Sequence, residues 1–204
     1  MNASPDPAAA QKRGRRIFLL IALMFALPVA SAWLIYFAAP ELIPQDRTNR
    51  GQLIQPAQPV EALALRDVDG ERVPMDRRWS LLVFDDGDCG AECARALLMT
   101  RQMRLSLNNR MKRLERVLVV PADADLPALH ELLDAAHPDL TIARDVDGRA
   151  REIFGSGPAA SGEAAPGLHL VDPHANYMMR YPAGIEPKPL RKDIVRLLRA
   201  SQIG

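Results

Sequence analysis

Cys89 and Cys93 are the two cysteines of the chain, and they close the stretch Leu81-Leu82-Val83-Phe84-Asp85-Asp86-Gly87-Asp88-Cys89-Gly90-Ala91-Glu92-Cys93. With a helix starting near Gly90, residues four apart lie about one turn apart, so both sulfurs fall on one side. Thiols so placed can close a disulfide or pinch a soft metal ion. A helix N-terminus lowers a thiol pKa and favours the nucleophilic thiolate. Asp85, Asp86, Asp88 and Glu92 oppose this, because nearby negative charge disfavours a thiolate. The balance predicts a comparatively stable disulfide. As a staple alone the pair is weak, since closing so short a loop gives about 2 kcal/mol from chain entropy. Three readings stay open: redox or metal exchange, an inert disulfide, and free buried thiols.

The flanking pattern says what positions the pair. Leu81 to Phe84 is an apolar run of strand-forming residues, and the Asp and Gly residues after it read as a turn. Beyond it, Ala94, Leu97, Leu98, Arg101 and Leu105 keep helical spacing, with a break near Asn108-Asn109. Val117 to Val120 is a second buried strand. Pro127 to Ala136 reads as a helix, Leu140 to Ala143 as a brief strand and Arg149 to Phe154 as a helical turn. A loop rich in small residues follows from Gly155 to Gly167. Leu168 to Val171, a turn at Asp172 to Asn176, and Tyr177 to Tyr181 read as a strand pair. Leu190 to Ala200 closes the chain as an amphipathic helix. Upstream, Ala62 to Leu65 and Arg72 to Met75 flank Asp67-Val68-Asp69-Gly70, a hairpin signal. Strands alternating with helices predict an α/β mixed sheet, with the second strand parallel to the first through a right-handed crossover.

The 204 residues carry a formal charge of +1, a balance that does not point to nucleic acid. Lys12, Arg13, Arg15 and Arg16 precede an uncharged apolar run, Ile17 to Ala39, long enough to span a bilayer. The positive flank predicts a cytoplasmic N-terminus and an outward remainder, with Trp33, Tyr36 and Phe37 at the outer interface. A cleaved signal ending at Ala30-Ser31-Ala32 is the rival reading, and Arg15-Arg16 also resembles a twin-arginine signal. The predicted organisation is a basic tail 1–16, a transmembrane helix 17–39, a stalk or strap 40–58, and a domain 59–204 of about 150 residues, enough for one core. High Ala and Arg usage suggests a bacterial source, which places the chain in the inner membrane with its domain in the periplasm, where cysteines oxidise.

Other side chains read less sharply. His130 and His137 flank a surface helix and read as solvated, and His174 sits in an exposed turn. His169 faces the opposite side of the sheet from Leu168 and Leu170. It reads as a half-buried sheet histidine, and it is also the best candidate for an added metal ligand, alone or with Asp88 or Glu92. Met178 and Met179 are soft donors in principle, although core packing accounts for one of them. Trp79 reads as a cap on the core edge. Arg101, Arg104, Arg110, Lys112, Arg113 and Arg116 form a basic face that reads as solvated surface, with a docking site for acidic partners or anionic lipid headgroups as the alternative. No Ser-His-Asp order, glycine-rich phosphate loop or H-E-x-x-H appears, which argues against hydrolases and nucleotide enzymes.

The element order resembles the thioredoxin fold with an N-terminal hairpin. Three features carry the likeness: the cysteine pair opening the first long helix after a central strand, Pro166 just before Leu168 to Val171, and the hairpin after Leu170-Val171-Asp172-Pro173. Within that fold the C-x3-C spacing, the Asp67-Val68-Asp69-Gly70 hairpin and the single anchor resemble the Sco-type cytochrome c oxidase assembly proteins. The resemblance implies thiol-disulfide exchange or Cu(I) handling for an oxidase subunit or assembly factor. It maps two ligands onto Cys89 and Cys93 and Pro166 onto the cis-proline facing the cysteines; it supplies no third ligand, for which His169 is the candidate from the residues themselves. The family's histidine position, before the strand at Leu168, is occupied here by Glu163, Ala164, Ala165 and Pro166. A redox-inert docking module, its cysteines a structural disulfide, is the alternative.

Overall fold

The computed structural model describes residues 7–38, 50–155 and 167–201, with side chains from residue 13. The chain divides into two compact units, Met1–Arg47 and Thr48–Gly204. The first holds one helix, α1 (Pro7–Ala38), in which Arg13–Ala38 is long and apolar enough to cross a membrane. Its 26 residues rise about 39 Å, more than a hydrocarbon core of about 30 Å requires. Trp33 and Phe37 rest against each other near its end, ring centroids 4.4 Å apart.

The second unit is a seven-stranded mixed sheet. In chain order its strands are β1 (Gln52–Pro59), β2 (Leu65–Arg66), β3 (Trp79–Phe84), β4 (Leu114–Pro121), β5 (Leu140–Asp145), β6 (Gly167–Val171) and β7 (Asn176–Pro182). The helices are α2 (Ala91–Leu105), α3 (Leu126–Leu133), α4 (Arg149–Gly155) and α5 (Pro187–Ala200), with a short 3-10 helix at Asn108–Arg113. Strand order is β1-β7-β6-β3-β4-β5-β2. β3 runs parallel to β4, and β4 to β5, while the neighbouring pairs on either side of this trio are antiparallel. This is the thioredoxin-like mixed sheet the sequence predicts. The continuous apolar runs of β3 and β4 sit at its centre because both their faces are covered.

Alternation along β3 divides the core. Leu81 and Val83 pack with Leu97, Met103, Leu118 and Ile194 on one face. Leu82 packs with Val117, Val119, Phe154 and Tyr177 on the other.

Four expectations are corrected. The stretch 40–58 carries an edge strand, since β1 pairs antiparallel with β7 from Gln52 to Pro59. Pro56 and Pro59 disguise it, and proline is admitted to a sheet at such an edge. The Asp67 turn forms, with Asp67 Oδ1 accepting from the Asp69 and Glu71 amides, but its strands shrink to β2, which pairs with β5. The basic stretch is in part structural. Arg116 is buried, donating to Asp139, Thr100 Oγ1 and the Leu97 carbonyl. Arg104 pairs with Asp139, and Arg113 donates to the Leu198 and Ser201 carbonyls at the end of α5.

His137, expected in solvent, is buried. Desolvation lowers its pKa below the ordinary 6.5, the charges of Arg116 and Arg101 lower it further, and Asp139 opposes them. The sign follows from proton counting. Below about pH 6.5 the unfolded chain takes up a proton that the folded one refuses, so stability drains away as pH falls toward the folded-state pKa. Chemical denaturation of wild type and His137→Gln across this range should show the wild type losing ground steadily below pH 6.5. A constant offset between the two curves would remove His137 as the cause.

Candidate functional site

The site begins where β3 ends. The Asp85 amide still donates to the Val119 carbonyl of β4, and the chain then turns. Asp85 Oδ1 accepts from the backbone amides of Gly87 and Cys89, both at 2.8 Å, so one carboxylate oxygen folds the turn. Gly87 has φ +110°, and a Cβ there would lie 3.0 Å from the Ala124 side chain. Cys89 itself takes a left-handed φ of +46°, a conformation uncommon outside glycine. Gly90 then caps α2 in extended conformation and accepts from Ala94.

Cys89 and Cys93 are joined as a disulfide, with Cα atoms 5.0 Å apart. Cys89 is half-buried, whereas Cys93 is buried among the apolar residues on the α2 face. The turn before α2 thus presents one sulfur toward solvent, and the first turn of the helix keeps the other behind it. Cys93 lines a cleft of about 650 Å³ with Phe84, Asp86, Met99, Arg151 and Leu168.

Arg151 is a residue the sequence reading missed. From α4 its guanidinium donates to Asp86 Oδ1 at 2.9 Å and to the Asp85 carbonyl, tying the cysteine turn to a second helix. The backbone amides of Ala150 and Arg151 are held in turn by the Asp145 carboxylate at the end of β5. No motif announces this contact, because it joins residues 65 positions apart. The electrostatics are mixed. Asp86 and Glu92 lie exposed near the disulfide, and the Arg151 guanidinium and the N-terminus of α2 supply the positive side.

The other candidates fall elsewhere. Pro166 lies outside the described residues. Gly167 beside it lines the same cleft and has φ +140°. A Cβ there would sit 2.1 Å from the Tyr181 carbonyl oxygen, so only glycine fits.

His169 is not brought to the cysteines. Its side chain is fully buried on the opposite sheet face, between the rings of Phe84, Phe154 and Tyr177. Its Nδ1 lies 2.9 Å from Tyr177 Oη, and burial pushes that phenol up to about 12. Strand alternation put His169 opposite Leu168 and Leu170, and that same geometry turns it from the disulfide. The expectation of a ligand here is corrected on that ground.

Among the described residues no group of three or more His, Cys, Asp or Glu side chains could hold a metal. Met179 is buried in the core and Met178 half-buried, and Trp79 is buried rather than capping an edge. His130 and His174 are exposed.

A family model described as transmembrane-like, thioredoxin-like, C-terminal domain matches residues 79–201. No curated protein matches the chain in sequence. Among solved structures, Arabidopsis thaliana ScoI with copper bound is similar at TM-score 0.54 and 18% identity, covering 74% of this chain and 99% of that one. Yeast Sco1 with copper bound is similar at TM-score 0.57 and 16% identity, over 75% and 90%. BsSco, described as a member of the Sco family of cytochrome c oxidase assembly proteins and as having a disulfide switch, is similar at 0.52 and 16%, over 73% and 96%. At these identities the likeness establishes a shared fold.

Two substitutions test the geometry. Asp85→Ala removes the acceptor for two amides and should cost about 1–2 kcal/mol in equilibrium unfolding, while Asp85→Asn, which keeps an oxygen in place, should recover most of it. Gly167→Ala meets both a backbone clash and a forbidden φ, and should cost more than about 2 kcal/mol. A neutral result for either would show the turn or the strand entry held by something else.

Proposed function

Because the chain belongs to the transmembrane-like, thioredoxin-like family, we propose that it is a membrane-anchored thiol-disulfide exchange factor supporting cytochrome c oxidase assembly through Cys89 and Cys93. The observation that carries this reading is the graded exposure of the pair: Cys89 half-buried at the mouth of the turn, Cys93 buried behind it. In the reduced protein the Cys89 thiolate attacks one sulfur of a partner disulfide, and the partner's other sulfur leaves as a thiolate. The Cys93 thiolate then attacks Cys89, releases the partner's second thiol and restores the Cys89–Cys93 bond. Two electrons pass to the partner, whose two sulfurs take up the protons. Pro166 stays in the proposal as a third catalytic residue on the family resemblance alone.

The setting is part of the proposal. We place α1 across a bacterial inner membrane, N-terminus in the cytoplasm and domain in the periplasm, with an oxidase subunit or assembly factor as partner. The run Arg13–Ala38 supports the span, and the likeness to BsSco supports the assembly role.

Copper transfer is the second reading, favoured by the spacing of the pair and by the copper-bound structures of similar fold. Reduced, Cys89 and Cys93 are two soft donors suited to Cu(I). The remaining donor would come from a partner, since His169 faces away. Copper here is cargo.

Single-cysteine variants decide the order of attack. Cys93→Ser should trap a mixed disulfide through Cys89 when challenged with a small disulfide, at a rate at least about tenfold above that of Cys89→Ser, whose remaining thiol is buried. Equal rates would end the assignment of Cys89 as attacker. A pair that resists mild reduction in the folded protein would favour the inert module. Anaerobic Cu(I) titration of the reduced protein against a competing chelator tests the second reading: stoichiometric binding requiring both cysteines supports it, and no binding removes it.

A further inference from the structure

The helix α5 divides its residues sharply by charge. Leu190, Asp193, Ile194 and Leu198 are buried against the sheet. Lys188, Arg191, Lys192 and Arg199 are exposed, and they fall on one face at the spacing of the helix. The sole acidic residue within α5, Asp193, is turned inward. The charge therefore has no compensating carboxylate on its own helix, in a chain whose total is only +1.

A second observation ties this helix to the chain that leads from α1. The inward Asp193 carboxylate accepts from the backbone amides of Arg50 (2.7 Å) and Gly51 (3.2 Å), where the described chain re-enters ahead of β1. The tether from the apolar helix is thus fastened to α5 itself. Residues 39–49 join Ala38 to Arg50, and a chain of that length reaches no more than about 40 Å. Whatever bilayer holds α1 is held at high effective concentration near the basic face.

From these observations we propose that the outer face of α5 is a docking surface for the anionic phospholipid bilayer that holds α1. The inference rests on the reading of α1 as a membrane span. Each Lys or Arg near such a surface gains from its negative potential, within a Debye length of it. The cysteine turn, with Asp86, Asp88 and Glu92 exposed, carries the sign that an anionic surface repels.

The test uses the full chain in lipid nanodiscs, with the native disulfide intact and a nitroxide at Ala200→Cys on α5 or at Val146→Cys, an exposed position just past the end of β5. Headgroup-chelated nickel reports proximity to the bilayer. With about one-third phosphatidylglycerol, relaxation at position 200 should exceed that in pure phosphatidylcholine by about threefold or more. It should fall back in about 0.5 M salt and in the variant Lys188→Gln, Lys192→Gln, Arg199→Gln, and position 146 should stay unaffected throughout. These three side chains make no hydrogen bond or ion pair among the described residues, so the variant leaves the fold intact. Equal relaxation in both lipids, no effect of the variant, or close approach of position 146 would overturn the proposal and leave an acidic protein as the occupant. Failure of the chain to enter nanodiscs would instead remove the membrane-span reading, and the docking surface with it.

Discussion

Covering both faces of β3 is the constraint on which the rest of the domain depends. Leu81, Leu82 and Val83 are all buried, to alternate sides, and each contributes on the order of 2 kcal/mol by leaving water. β4 and β6 occupy both hydrogen-bonding edges of the strand. A strand enclosed in this way has free space only at its ends. Asp85 is the first residue past that enclosure, and its carboxylate spends its acceptor capacity on the turn that carries Cys89. The position of the sulfurs is thus inherited from the central strand, through one residue, without a flexible step between.

Charge is partitioned around the same frame. Buried Arg116 and half-buried Arg104 and Arg113 are structural: Arg116 and Arg104 share Asp139, and Arg113 sits on the carbonyls at the end of α5, where the helix dipole favours a cation. Arg151 plays a different part, because its partners are in the cysteine turn itself. It draws Asp86 aside and fixes the Asp85 carbonyl, so the acidic character of the turn is partly answered from α4. Two elements distant in sequence therefore hold one turn, one by folding it and one by bracing it.

What was legible in the sequence follows from the range of the interactions. β3, β4 and α5 announce themselves because continuous apolar runs and a clean helical stripe are local signals, and the C-x3-C pair needs only one helical turn to be understood. β1 was hidden by its prolines, since an edge strand tolerates residues that read as linker. The fate of the arginines was hidden for another reason: a long side chain can lie on solvent or reach a carboxylate far along the chain, and Arg116 reaches Asp139 across 23 residues. His137 and His169 were misread in burial alike. Period-2 alternation gave the face of His169 correctly, but the Phe84, Phe154 and Tyr177 rings that enclose it come from three different elements.

The surroundings of the pair also order its possible states. A disulfide carries no charge, a reduced pair with both sulfurs ionised carries two, and a pair holding Cu(I) carries one. Exposed carboxylates at Asp86, Asp88 and Glu92 penalise each of those negative charges, while Arg151 and the α2 N-terminus offset part of the penalty. The fully ionised pair is the state this setting disfavours most, and the disulfide costs nothing on this account. Single ionisation is what exchange requires, because only one thiolate attacks at each step. Copper requires both sulfurs at once, and the cation's own charge is what would make the second ionisation affordable. The charge around the pair is thus the ground on which exchange is proposed ahead of copper transfer.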